Sequence, residues 1–176
     1  MLIDSTYFIN ELRMPANIWH ADSLFVPENI EHNFIIDLLG YQLGTLVLAY
    51  NDNSEERIKK LVTGDVYDVN AYTLKYDGLI NTRKVSAIAY FIYAKYLLYN
   101  NSNNIDTGRV ELVNENSNKL NDAARYSWAY NKAVELTGFR GQAWNVPSVL
   151  NYLQAKKDLY PECIFNELRY TNQLGL

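Results

Sequence analysis

Between Val85 and Tyr99 every residue except Ser86 and Lys95 is apolar or aromatic, and Val85, Ile88, Ala89, Ile92 and Tyr96 fall on one helical stripe. The opposite side is apolar too. A helix that is apolar nearly all round must be covered on several sides, so residues of about 81–99 are predicted to form the central buried helix of a bundle. Upstream, Ser5 is placed to cap a short helix through Leu12, and Met14-Pro15 ends it before an extended segment over about 13–26. Pro27 suits a first helical position, and Glu28 and Glu31 follow in the first turns; Ile30, Phe34, Ile35 and Leu38, then Leu43, Leu46, Val47 and Tyr50, keep a helical period. Gly40 between them predicts a kink or two helices over 28–50.

Asn51-Asp52-Asn53 reads as a turn, with Ser54 capping a short helix that Gly64 stops. Residues of about 65–76 change to Val66, Tyr67, Val69, Tyr72, Thr73, Leu74 and Tyr76 around Asn70-Ala71, the pattern of a β-hairpin. The polar run 100–104 predicts a loop, and Arg109 to Val113 alternate as a short strand or extended arm. A further helix is expected over about 120–137, with Leu120, Ala124, Trp128, Ala133 and Leu136 as anchors and Gly138 as its stop. Asn145 and Pro147 are placed to start a last helix through about Leu159, and the tail over about 162–176 docks or hangs free. The expected fold class is therefore mainly α: a single helical domain with a small hairpin and an extended arm.

Composition changes this picture in one respect. The 176 residues, 48% hydrophobic and 20% charged, suit one folded domain burying roughly 70% of its unfolded surface. Fifteen Tyr and three Trp supply large side chains that bury area while keeping a polar tip, the type enriched at interfaces. Lining of a wet core edge is the plainer reading. A net charge of −4 with scattered Lys and Arg offers no footprint for nucleic-acid phosphates. Cys163 is the lone cysteine, which leaves no internal disulfide and no Cys-based metal site. Met1-Leu2-Ile3-Asp4 lacks the basic and apolar regions of a signal peptide, so the chain is expected to stay where it is made. The run 87–99 is too short to span a membrane.

Candidate chemistry is thin. His20 and His32 lie twelve residues apart with no ligand spacing and read as ordinary surface or rim histidines. Gly138-Phe139-Arg140-Gly141 lacks both the phosphate-loop and the dinucleotide pattern, and the acidic pairs Glu55-Glu56 and Asp65/Asp68 suit a helix start and a solvated hairpin face. No catalytic residue, metal ligand or cofactor is expected, and an enzyme of unfamiliar geometry stays open behind a non-catalytic role.

The order of several segments carries a resemblance. They are Phe34-Ile35-Ile36-Asp37-Leu38-Leu39-Gly40; Leu61-Val62-Thr63-Gly64-Asp65-Val66-Tyr67; Tyr76-Asp77-Gly78-Leu79; Ala87-Ile88-Ala89-Tyr90-Phe91-Ile92-Tyr93-Ala94-Lys95-Tyr96-Leu97; Thr107-Gly108; Ala143-Trp144; Asn151-Tyr152-Leu153; and Tyr160-Pro161. Together they resemble the head-to-tail connector (adaptor) proteins of tailed bacteriophages, notably those of gut Bacteroidetes hosts. The resemblance implies a structural virion protein at the head–tail junction, made in the host cytoplasm. It further implies a homo-oligomeric ring of about twelve copies between the portal protein and other neck or tail proteins. Packaged DNA would pass through its lumen without specific binding, and no membrane is involved. On that reading Tyr67, Tyr72 and Tyr76 are expected to dock the hairpin on a neighbour, while the arm with Arg109 and Leu112 or the tail with Phe165 and Tyr170 crosses to another subunit. A small helical regulatory or protein-binding module is the alternative.

Overall fold

The computed structural model describes residues 1–15, 25–81, 83–103 and 122–172. The chain is mainly helical with one two-stranded antiparallel sheet. Helices α1 (Pro27–Leu39) and α2 (Tyr41–Leu48) meet at Gly40, whose φ of 79° turns the chain where any side chain would press on Ile164. Helix α3 (Glu56–Thr63) leads into β1 (Asp65–Val69) and β2 (Tyr72–Tyr76), and α4 (Ala87–Asn103), α5 (Asp122–Thr137) and α6 (Val149–Ala155) follow.

Helix α4 occupies the centre, as its all-round apolar character predicts, with α5 along one side and α1 along another. Ile88, Ala89, Ile92 and Ala94 are fully buried. Phe91 is clasped between Phe34 of α1, 4.5 Å away, and Tyr130 of α5, 6.0 Å away. Pro27 stands at the first turn of α1, and Gly64 and Gly138 end α3 and α5 as expected.

Several boundaries differ from the sequence reading, each for a local reason. The central helix starts at Ala87 rather than near residue 81, because Ser86 caps it by accepting from the Ile88 amide at 3.2 Å and donating to the Leu79 carbonyl at 2.7 Å. At the other end α4 continues through Asn103, across a polar run expected to be a loop. Asn lowers helix stability by only about 0.7 kcal/mol per residue, too little to stop a helix already propagating from a buried core. The predicted N-terminal helix is two 3-10 turns: Ser5–Tyr7, capped by Asp4, and Asn10–Leu12, which opens on Asn10 at a positive φ of 53°. Ser54 closes the turn before α3 by accepting from the Asn51 amide at 2.9 Å instead of capping the helix. The last helix is capped by Ser148, not Asn145, and gives way after Ala155 to a 3-10 turn at Lys157–Leu159. Trp128, expected as an anchor of α5, stands 43% exposed, and the buried positions among those described are Ser127, Ala129, Ala133, Val134 and Thr137.

The tail is docked as far as residue 172. Ile164 and Asn166 donate their amides to the carbonyls of Leu39 and Leu38, and the Asn166 side chain donates to Asp37 at 2.7 Å. These are the carbonyls that the end of α1 leaves without helical partners. Farther on, Asn131 of α5 exchanges two hydrogen bonds with the backbone of Thr171. The predicted arm around Arg109 and Leu112 lies outside the described residues.

Candidate functional site

The hairpin and the elements beneath it hold the residues singled out from the sequence. With Val69 paired to Tyr72 across the two-residue turn, Asn70 and Ala71 both adopt positive φ, 47° and 67°, the combination that matches the twist of paired strands. Ala71 does so without the glycine usual there. The pairing Asp65–Tyr76, Tyr67–Leu74 and Val69–Tyr72 sets these six side chains on the inner face, leaving Val66, Asp68, Thr73 and Lys75 outside.

The root of the hairpin is locked. Gly64 and Gly78 bring two backbone segments together so closely that a Cβ on Gly78 would lie 2.5 Å from Gly64 N and the Val62 carbonyl. The Ile80 amide donates to that same carbonyl at 2.9 Å. Above this crossing the inner face lands on Tyr152 of α6. Tyr76 stacks on the Tyr152 ring at 4.5 Å and 14°, and Tyr67 meets it edge-on at 5.2 Å and 80°. Tyr76 donates to the Leu61 carbonyl at 3.1 Å, and Tyr152 donates to Asp65 at 3.1 Å. Tyr160 completes the cluster by donating to the Arg57 carbonyl at 2.7 Å. Burial pushes the hydroxyls of Tyr76, Tyr152 and Tyr160 above their ordinary pKa, so they stay neutral donors. The Tyr67 hydroxyl is buried and has no hydrogen-bond partner among the described residues.

Arg57 joins this cluster to the tail. Its guanidinium donates to the Leu159 carbonyl at 3.0 Å and pairs with Glu162 and Glu55, which raise its pKa further. At the far end of the hairpin the packing loosens. Tyr72 is 62% exposed and leans on Trp144, 5.3 Å away and itself 44% exposed. Trp144 sits on a turn fixed by buried Asn151 of α6, whose amide donates to the carbonyls of Ala143 and Val146, both at 2.9 Å. Neighbouring residues of α6 therefore do two jobs: Tyr152 seats the hairpin root and Asn151 presents the aromatic at its tip.

Of the seven residues expected at an interface, Tyr67 and Tyr76 are buried within their own chain and dock the hairpin on α6. Phe165 is half-buried against the core, and Tyr170 is about half exposed with its ring on Phe139. Tyr72 alone of the hairpin tyrosines faces solvent. Arg109 and Leu112 fall outside the described residues. Sequence reasoning passed over Trp144, Asn151 and Tyr152 as site residues; their segments, Ala143-Trp144 and Asn151-Tyr152-Leu153, carried only the family likeness.

Other features bear on chemistry. Among the described residues no group of three or more His, Cys, Asp and Glu is placed to hold a metal ion, and no helix is long and apolar enough to cross a membrane. A small cavity of about 60 Å³ lies beneath the hairpin root, lined by Tyr76, Asp77, Leu79, Val85 and Val149 among others. That is room for a water or two, far below the usual ligand pocket. His32 is exposed on α1. Cys163 is half-buried, and burial raises its thiol pKa, the opposite of an activated nucleophile. No family model, curated protein or solved structure matches the chain.

Proposed function

We propose that the chain is a structural subunit of a tailed-bacteriophage neck, a connector that assembles into an oligomeric ring between portal and tail. The single observation that carries the reading is a division of labour in the hairpin. Tyr67 and Tyr76 fix it rigidly to the helical body, while Tyr72 and Trp144 stand out in solvent at its tip as a fixed contact surface. An aromatic tip on a locked projection meets a partner without a large ordering penalty. The order of elements that carries the resemblance to head-to-tail connectors supports the same reading. So does a net charge of −4, since an acidic ring would not hold passing DNA by charge.

Co-purification with the portal protein of the same genome, followed by negative-stain imaging, tests this. The expected result is a ring of this chain stacked on the portal, and the protein should be found in purified virions. A chain that neither joins the portal nor occurs in virions overturns the assignment.

A further inference from the structure

Among the described residues the hairpin is a sheet of two strands, and neither of its edges carries a further strand. In a two-residue hairpin the pair that closes the turn is hydrogen-bonded, here Val69 with Tyr72, and pairs then alternate. The N–H and C=O groups of Val66 and Asp68 on β1, and of Thr73 and Lys75 on β2, therefore point outward along the two edges. No described residue supplies them a backbone partner. The two edges differ in charge. The β1 edge carries the exposed carboxylate of Asp68, which accepts from the Thr73 hydroxyl at 2.7 Å. The β2 edge carries the Lys75 ammonium, 74% exposed and, among the described residues, paired with Asp77 at 3.6 Å.

We propose that the occupant of these edges is a second copy of this chain, the β1 edge of one hairpin adding to the β2 edge of the next. The order β1–β2–β1–β2 keeps neighbouring strands antiparallel, so added hairpins continue one sheet. One antiparallel register satisfies the outward groups of both edges, pairing Val66 with Lys75 and Asp68 with Thr73 across the new junction. In that register Asp68 is diagonal to Lys75, which brings unlike charges within reach. Edge-to-same-edge pairing would instead oppose carboxylate to carboxylate or ammonium to ammonium. The contact is thus head-to-tail, the kind that closes into rings or runs on as filaments. Closure into a ring rests on the connector reading; the pairing itself does not. Four outward backbone groups per edge bury little area, which makes the contact weak and concentration-dependent.

The experiment is sedimentation equilibrium of the full chain at low ionic strength, where surface charges are least screened. Wild type should associate reversibly. Asp68→Lys and Lys75→Glu should each weaken association roughly fivefold or more, because like charges then face each other. An equimolar mixture of the two variants, or the double variant Asp68→Lys/Lys75→Glu, should recover it. Unchanged near-ultraviolet circular dichroism separates lost pairing from lost folding, and recovery in the double variant does so independently. Wild type that stays monomeric up to about 1 mM overturns the pairing, as do single variants that associate like wild type or a double variant that does not recover. These outcomes leave the portal experiment untouched, so each reading can fail alone.

Discussion

Tyr72 and Tyr76 stand four residues apart on one strand and one face, yet one is 62% exposed and the other 3%. The difference lies in what waits opposite. Tyr76 is at the root, where the glycine crossing and the Tyr152 ring close over it. Tyr72 is at the tip, where the face overhangs the body and meets only the rim of Trp144. The same residue type thus holds the scaffold at one end of the strand and offers a contact at the other. A count of tyrosines cannot separate the two.

The comparison can be broken most directly at the root. Tyr152→Ala removes the ring on which Tyr67 and Tyr76 both rest, and it should cost about 3–5 kcal/mol, as truncation of a buried aromatic does. A loss under about 1 kcal/mol in urea titration would mean the root is not packed as described. Gly78→Ala should cost roughly 3 kcal/mol, since the new methyl would meet backbone atoms at 2.5 Å with φ at 85°. The same urea titration checks it. A smaller change of opposite sign is expected from Tyr67→Phe, which deletes a buried hydroxyl without a partner among the described residues and should raise stability by about 1 kcal/mol. Destabilisation there would place a hydrogen-bond partner on that oxygen. The smallest stability effect belongs to the tip. Tyr72→Ala should shift stability by no more than about 0.5 kcal/mol while weakening ring assembly on the portal, seen by comparing denaturation with negative-stain ring counts. Equal assembly by Tyr72→Ala and wild type would remove the tip from the interface.

Much of this fold is readable from local pattern. The central helix follows from an apolar run that only Lys95 interrupts between Ala87 and Tyr99, the hairpin from β-branched and aromatic residues around Asn70-Ala71, and the helix ends from Gly40, Gly64 and Gly138. What escapes local pattern depends on residues far off in sequence. Glu31 reads as an ordinary first-turn acid, yet its carboxylate is 1% exposed and accepts from the amides of Leu2 and Ile3 at 2.6 and 3.2 Å, with burial raising its pKa. Nothing beside it in the chain announces that partner. The site divides along the same line. The hairpin is legible, but the fates of Tyr67, Tyr72 and Tyr76 depend on Tyr152 and Trp144, about seventy to eighty-five residues away, which strand periodicity does not reach.

A locked root and open edges should differ in amide exchange, and residue-resolved hydrogen exchange on dilute monomer and on portal-bound rings measures both ends at once. The amides of Tyr67 and Leu74, which bond across the hairpin, should be protected in both states, whereas those of Val66, Asp68, Thr73 and Lys75 should exchange fast in the monomer and become protected in the ring. Edge amides that exchange as fast in the ring as in the monomer would contradict the claim that the hairpin's free edges make the subunit contact.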